Sequence, residues 1–214
     1  MTASLVIAVD GPAASGKGTV AAWLGQAYGL PVLDTGLLYR AVGVAASRAG
    51  VDPDDPQAAA AVAGQVDLLA LDDSAFRTRA AGELASRVAV HPGVRDALNA
   101  AQVGFARRPG GAVLDGRDIG TVIAPWAPAK LFVTARPEVR AERRWRQLTA
   151  QGEAVAFEEV LADIRRRDAR DGGRADAPLA RAADAVLLDT SEMTIDLATD
   201  AARRIVEAAR AGRE

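Results

Sequence analysis

Short apolar runs alternate with longer amphipathic stretches along most of this chain, the pattern of βα units laid on a parallel sheet. The apolar runs predict strands near Leu5–Asp10, Pro31–Asp34, Ala112–Asp115, Lys130–Thr134 and Ala185–Leu188. Each is brief, rich in Val, Leu and Ile, and free of alternation, as strands covered by helices on both faces read. The amphipathic stretches predict helices near Lys17–Tyr28, Leu37–Ala49, Val94–Ala106, Pro137–Leu148, Phe157–Ala169 and Ile195–Ala211. Gly29 suits the end of the first and Thr194 the N-cap of the last. Four strands end in or just before a polar residue, Asp10, Asp34, Asp115 and Thr134, and in open α/β sheets ligands bind at that rim. Two stretches break the rhythm. Residues 51–92 are rich in Ala and Asp, contain Pro53 and Pro56, and read as a small, mostly helical insertion. Residues 149–156 form a polar break before an arginine-dense helix and loop, Arg165 to Arg174, whose Gly172-Gly173 pair reads as a hinge.

Composition narrows the class without naming an activity. At 214 residues, 50% hydrophobic and 25% charged, the chain can bury a core and reads as one soluble domain with an insertion. A net charge of −2 gives no electrostatic case for nucleic-acid or membrane binding. Zero Cys excludes disulfides and thiolate metal sites, and one His excludes a multi-histidine site. The N-terminus enters a strand without the pattern of a signal peptide, and no apolar run reaches membrane-spanning length. A cytoplasmic monomer is expected. Lys17 and Lys130 are the only lysines, so 24 of the 26 basic residues are arginine.

The sharpest motif is Gly11-Pro12-Ala13-Ala14-Ser15-Gly16-Lys17-Gly18-Thr19, set between the first strand and the first helix. Glycines let backbone N–H groups turn inward around an anion, the helix N-terminus adds positive dipole, and Lys17 supplies charge for the outer phosphates. A triphosphate cradle follows from the spacing together with its strand and helix context.

Three further clusters carry polar chemistry. In Leu33-Asp34-Thr35-Gly36-Leu37-Leu38-Tyr39-Arg40, Thr35 and Gly36 read as the turn into a helix, with Thr35, Tyr39 and Arg40 within about one turn and able to face one pocket. Asp115-Gly116-Arg117-Asp118-Ile119-Gly120 places several charges at a strand end, where a polyanion and a metal ion are ready partners. The run Arg165 to Arg174 holds more guanidinium than local carboxylate can neutralise, as suits a transferring phosphoryl group. Arg143, Arg144 and Arg146 lie on the preceding helix, with Arg143 and Arg146 at i,i+3. His91 before Pro92 reads as a turn residue, Trp23, Trp126 and Trp145 as packing, and Lys130 as structural.

Taken together, "VDGPAASGKGT", "LDTGLLYR", "LDGRDIGT" and "RRDARDGGRADAPL", followed by "AADAVLLDTSEMTID", resemble the bacterial cytidylate kinases, nucleoside monophosphate kinases acting on CMP and dCMP. The resemblance runs from about residue 5 to residue 207. It implies an α/β, P-loop NTPase-type five-stranded parallel sheet flanked by helices, with a short, mostly helical monophosphate-binding insertion and a lid. On that reading one kinase domain has its core at about 1–50 and 93–214, the insertion at about 51–92 and the lid at about 146–174. It further implies that Gly11 to Thr19 hold ATP, and that Thr35, Tyr39, Arg40, Ser86, Arg95, Arg117, Asp118, Arg167, Asp171 and Arg174 surround CMP. Asp118 and Asp171 become candidates for reading the cytosine amino group or the sugar. Lys17, Arg143 and Arg167 become candidates for stabilising the transferred group.

Two departures shape these expectations. Gly18 follows Lys17 where many P-loops place Ser or Thr, so Mg²⁺ is expected through phosphate oxygens and water, with no direct protein ligand. Asp10, Asp34 and Asp115 are then candidates to reach the ion only through its bound water. Residues 66–86 are too short and alanine-rich for the small β-sheet that relatives often carry in the insertion. Competing readings are a kinase of UMP, AMP or another small metabolite, and a P-loop NTPase or regulator without an acceptor.

Overall fold

The computed structural model describes residues 4–66, 76 and 78–212. Five strands, β1 (Leu5–Asp10), β2 (Val32–Asp34), β3 (Gly111–Gly116), β4 (Ala129–Thr134) and β5 (Val186–Asp189), form one sheet in the order β2-β3-β1-β4-β5. The pairs β1–β3, β1–β4 and β4–β5 are parallel. Helices α1 (Lys17–Tyr28), α2 (Thr35–Arg48), α3 (Pro56–Ala63), α4 (Arg79–Val88), α5 (Pro92–Ala106), α6 (Pro137–Ala150), α7 (Phe157–Gly172) and α8 (Ile195–Ala211) complete the described elements, with a π-helical turn at Ile119–Ile123. The chain divides into two compact units, residues 1–33 with 105–214, and residues 34–104.

The first unit contains the sheet and its core. Ile7, Val9, Val113, Leu131, Val133 and Leu188 pack beneath Val20 and Leu24 of α1 and Ala198, Ala202 and Val206 of α8. The inner strands β3, β1 and β4 are buried through most of their length, which is why they carry no alternation. The edge strands differ from the expectation of two covered faces: β5 buries only Leu188, leaving Val186 and Leu187 about half exposed. Because Asp10 is level with Gly116 and Phe132, and Thr134 with Asp189, the carboxyl ends form a common rim. The last strand reaches one residue beyond the predicted Leu188 and so also ends in a carboxylate.

Apart from Asp34 at the end of β2, the regular elements described in the second unit are helices. Leu38 and Val42 of α2, Ala59 and Ala63 of α3, Ala85 and Val88 of α4, and Val94 and Leu98 of α5 make its core. Gly43 lets α2 and α4 approach closely: a Cβ there would stand 2.7 Å from that of Leu84. Of the stretch 66–86 read as too short for a sheet, residues 67–75 and 77 lie outside the described residues.

Three local expectations are corrected. Helix α2 starts at Thr35 rather than after a Thr35-Gly36 turn, because the Asp34 side chain accepts from Gly36 N–H at 3.0 Å and caps the helix directly. Helix α7 runs past the predicted Ala169 to Gly172, and Gly173 N–H donates to Ala169 O at 2.9 Å, so the Gly172-Gly173 pair lies at the helix end. The arginine run is also better neutralised than its own sequence suggests. Arg165 pairs with Glu138 of α6 at 2.9 Å, and Arg166 pairs with Asp163 one turn earlier.

Candidate active site

In the first unit, β1 feeds a loop whose backbone is twisted where the phosphate motif requires it. Gly11 (φ 150°), Ala14 (φ 59°) and Gly16 (φ 91°) all have positive φ, and Gly16 stands at the N-terminus of α1 with no side-chain cap. Its helix N–H groups are thereby left for an anion rather than spent on a side chain. Ala14 pays a strain cost there that loops holding ligands commonly retain. Ser15 is fully buried, and its Oγ has no hydrogen-bond partner among the described residues.

Lys17 Nζ lies 3.3 Å from Asp115 Oδ1, at the end of β3, with both side chains largely buried. Gly18 keeps this space open, since a Cβ would stand 3.2 Å from Asp115 Oδ2. The P-loop cation and the β3 carboxylate therefore face each other beside the position where a Ser or Thr would otherwise stand.

Asp10 is committed elsewhere. Its Oδ1 accepts from Ile119 N–H at 2.8 Å and its Oδ2 from Gly120 N–H at 2.7 Å, so it caps the π-helical turn that follows Arg117-Asp118. Burial dominates its acidity and, with Asp118 and Asp115 nearby, raises its pKa to about 7 against the two backbone hydrogen bonds. Because the folded value lies above the ordinary one, the native state binds the extra proton between about pH 4 and 7. Stability should therefore fall as pH rises through that window, by about 1 kcal/mol per pH unit relative to Asp10→Asn. Urea midpoints of both proteins at pH 5, 6 and 7 measure this, and parallel curves would refute it.

Four of the predicted residues meet around one carboxylate. Asp171, buried near the end of α7, accepts from Arg117 Nε at 3.1 Å and lies 3.9 Å from Arg167 Nε. Burial pushes the Asp171 carboxyl up, but Arg117, Arg167 and Arg174 together outweigh it and hold it below the usual carboxylate range. Arg174 Nε donates to Asp171 O at 3.2 Å. Asp118, also buried, immediately precedes the π-helical turn and accepts from Val122 and Ile123 N–H through its carbonyl. The result is a cationic cluster anchored by one anion, a surface suited to phosphate oxygens.

Helix α6 presents two buried or half-buried arginines. Arg140, which sequence reasoning did not single out, forms a bidentate pair with Asp168 (2.9 and 2.6 Å) and donates to Ala135 O and to Ala13 O in the phosphate loop. Arg143 donates to Ser15 O and to Thr190, and forms no salt bridge among the described residues. Burial lowers its pKa. Arg146, expected to share its face, instead pairs with Glu142 at the surface. The only hint of Arg140 was its position three residues before Arg143; Asp168 and Thr190 gave none, because their partners lie far along the chain.

In the second unit, Thr35 and Tyr39 are buried one turn apart on α2. Arg40, the residue after Tyr39, donates to Phe76 O at 2.8 Å. Arg95 of α5 is almost wholly buried, with Nη1 3.5 Å from the Tyr39 hydroxyl. Ser86 of α4 is buried, and its Oγ makes no hydrogen bond among the described residues. Thr35, Tyr39, Ser86 and Arg95 thus give this unit a set of interior polar groups, which helical packing alone does not require. Asp34 is occupied as the α2 cap. His91 is buried, its Nε2 2.9 Å from Pro53 O, and Lys130 is tied to Asp184 at 2.7 Å, so both serve the fold.

Among the described residues no group of three or more His, Cys, Asp or Glu could hold a metal ion, and no helix is long and apolar enough to cross a membrane. A solved structure of an uncharacterized protein from Eubacterium ventriosum shares the fold, with a TM-score of 0.57 at 15% identity over 96% of this chain and 99% of that one. Sequence comparison reaches further. A cytidylate kinase of Caulobacter vibrioides is 73% identical over 206 residues, 96% of this chain and 97% of the relative. One from Xanthobacter autotrophicus is 62% identical over 209 residues, 98% of this chain and all of the relative. The cytidylate kinase family model matches residues 7–209. With its phosphate loop and its arginine-bound Asp171 both inside that span, the chain belongs to the cytidylate kinase family.

Proposed function

We propose that this protein transfers the γ-phosphoryl group of ATP to CMP and dCMP, giving ADP and CDP or dCDP. The observation that carries this reading is the Arg117–Asp171–Arg167–Arg174 cluster together with a separate phosphate loop: one chain holds cationic machinery for two phosphorylated ligands. Gly11 to Thr19 take the ATP phosphates, with Lys17 toward the group that moves. Arg117, Asp118, Arg167, Asp171 and Arg174 in the first unit, and Thr35, Tyr39, Arg40, Ser86 and Arg95 in the second, take CMP. Residues about 51–92 act as the monophosphate-binding insertion and about 146–174 as the lid.

The chemistry is a direct displacement. An oxygen of the acceptor phosphate forms a bond to the γ-phosphorus as the bridging bond to the β-phosphate breaks, and the electrons of that bond leave with ADP. No covalent enzyme intermediate and no strong base are needed, so catalysis consists of positioning, charge stabilisation and exclusion of water. Arg143 and Arg167 oppose the charge spread over the transferred group. Mg²⁺ bound together with ATP would supply neutralising charge for its phosphates. The Asp115 carboxylate, facing Lys17 and the open side of Gly18, is the residue fitted to order its water shell. Asp10 and Asp34 are engaged by backbone N–H groups.

An acceptor panel tests this reading. With ATP and Mg²⁺, ADP formation should be fastest with CMP and dCMP, slower with UMP, and at background with AMP or with no acceptor. Equal rates without acceptor would instead identify an NTPase, and preference for another acceptor would reassign the cationic cluster.

A further inference from the structure

Thr190 immediately follows β5 and is buried. Its N–H donates to Thr134 O at 2.8 Å, carrying the β4–β5 pairing one step past the rim. Its Oγ1 lies 2.9 Å from Ser15 O and 3.1 Å from Thr134 O, and accepts from Arg143 Nη1 at 2.9 Å. Arg143 Nη2 donates to Thr190 O at 2.7 Å, and Nη1 reaches Ser15 O at 3.4 Å. A hydroxyl has one hydrogen to give, so it donates to one of the two carbonyls and receives the guanidinium on a lone pair. The ends of β4 and β5, the phosphate loop and α6 therefore converge on a single oxygen. A Cβ on Gly16 would stand 3.8 Å from Arg143 Nη1 and 4.0 Å from Thr190 Oγ1, so this junction flanks the loop where α1 begins.

The contrast with Arg140, one helical turn earlier, shows what kind of junction it is. Arg140 is held by the Asp168 carboxylate, which neutralises it. Arg143 is held by three uncharged oxygens from Ser15 and Thr190, and the exposed Asp189 carboxylate acts on it only through its field, with no hydrogen bond between them among the described residues. Neutral acceptors fix a guanidinium in direction while leaving its positive charge available to an anion, which a carboxylate would not.

We propose that Thr190 is a positioning residue for phosphoryl transfer, aiming Arg143 along the phosphate loop through its hydroxyl and carbonyl without cancelling the charge. This rests on the reading of Arg143 as a group that acts on the transferred phosphoryl. It places the decisive atom on a threonine hydroxyl at the end of the last strand, far in sequence from both the loop and the arginine it controls.

The test is a double-mutant cycle of Thr190→Val with Arg143→Ala, and Thr190→Ser as the conservative control. Thr190→Val keeps the volume and removes the hydroxyl. It should lower kcat/KM for ATP about tenfold while the KM for CMP stays within about twofold, and Thr190→Ser should stay within about twofold of wild type throughout. In the Arg143→Ala background, Thr190→Val should change kcat/KM by less than about twofold, because the group it positions is gone. Should Thr190→Val not fold, Thr190→Ala enters the same cycle. Equal losses for Val and Ser, or an undiminished tenfold loss without Arg143, overturn the proposal. Wild-type kcat/KM in Arg143→Ala overturns the role of Arg143 itself, and CMP phosphorylation by the unaltered protein is read separately from either.

Discussion

Lys17→Ala should lower the turnover of CMP phosphorylation at least about a hundredfold, the scale of removing one preorganised charge from a phosphoryl-transfer site. Two effects combine. The first is loss of the ammonium that would follow charge onto the transferred group and the departing β-phosphate. The second is local: Lys17 lies 3.3 Å from Asp115, and both side chains are largely buried. Without the lysine, Asp115 would lose this ion pair while facing the incoming triphosphate, and the repulsion would add to the ATP KM. Lys17→Ala in combination with Asp115→Asn should therefore recover ATP affinity but not turnover. Steady-state rates with ATP varied at saturating CMP, compared at equal folded fraction, separate the two effects. Near-normal turnover in Lys17→Ala would remove the phosphate loop from the reaction.

Gly11→Ala is expected to act through the backbone. Gly11 has φ 150°, and a Cβ there would fall 1.9 Å from the carbonyl oxygen of Val133 in β4 and 3.0 Å from its carbonyl carbon. Neither obstacle is a flexible side-chain tip, so relief requires the loop to leave the sheet or β4 to shift. The cost should reach about 3 kcal/mol or more, among the large values reserved for strained φ and overpacking. For a chain of this size that corresponds to a fall of about 10 °C in Tm. Gly29→Ala is the matched control, because Gly29 also has positive φ but nothing within 4 Å of its added Cβ. It should cost only about 1 kcal/mol. Thermal melts of the two variants decide the point, and equal shifts would mean that left-handed strain, not the approach to β4, sets the requirement for glycine.

The sheet was legible because its inner strands are buried on both faces and leave a continuous apolar signature. The predicted β1, α1 and α8 have the observed ends, and the other strands shift by a residue or so at their ends. Legibility failed where a boundary depends on one side chain. Asp34 both ends β2 and caps α2, and the two roles together move the helix start to Thr35. The π-helical turn at Ile119–Ile123 had no signature of its own, since it is fixed by Asp10, more than a hundred residues earlier. In the site, local motifs located the charged residues but not their partners. Arg117, Arg167, Asp171 and Arg174 were selected from two separate segments, and the structure places them around one carboxylate. The pairing of Arg140 with Asp168 and the hold of Thr190 on Arg143 depend on contacts between elements that no spacing encodes.

The chain enters residues 34–104 from β2 and returns from them into β3, and these two strands are neighbours in the sheet. Pro31 O accepts from Val113 N–H at 2.9 Å, so the mouth of this excursion is already closed by the sheet's own hydrogen bonding. The entropy of closing such a loop grows only logarithmically, by about 0.6 kcal/mol for each doubling of its length. Residues can therefore be added to or removed from the excursion at little thermodynamic cost to the sheet. A change of length in the 51–92 segment is of that kind: the architecture tolerates it far more readily than a single added methyl at Gly11.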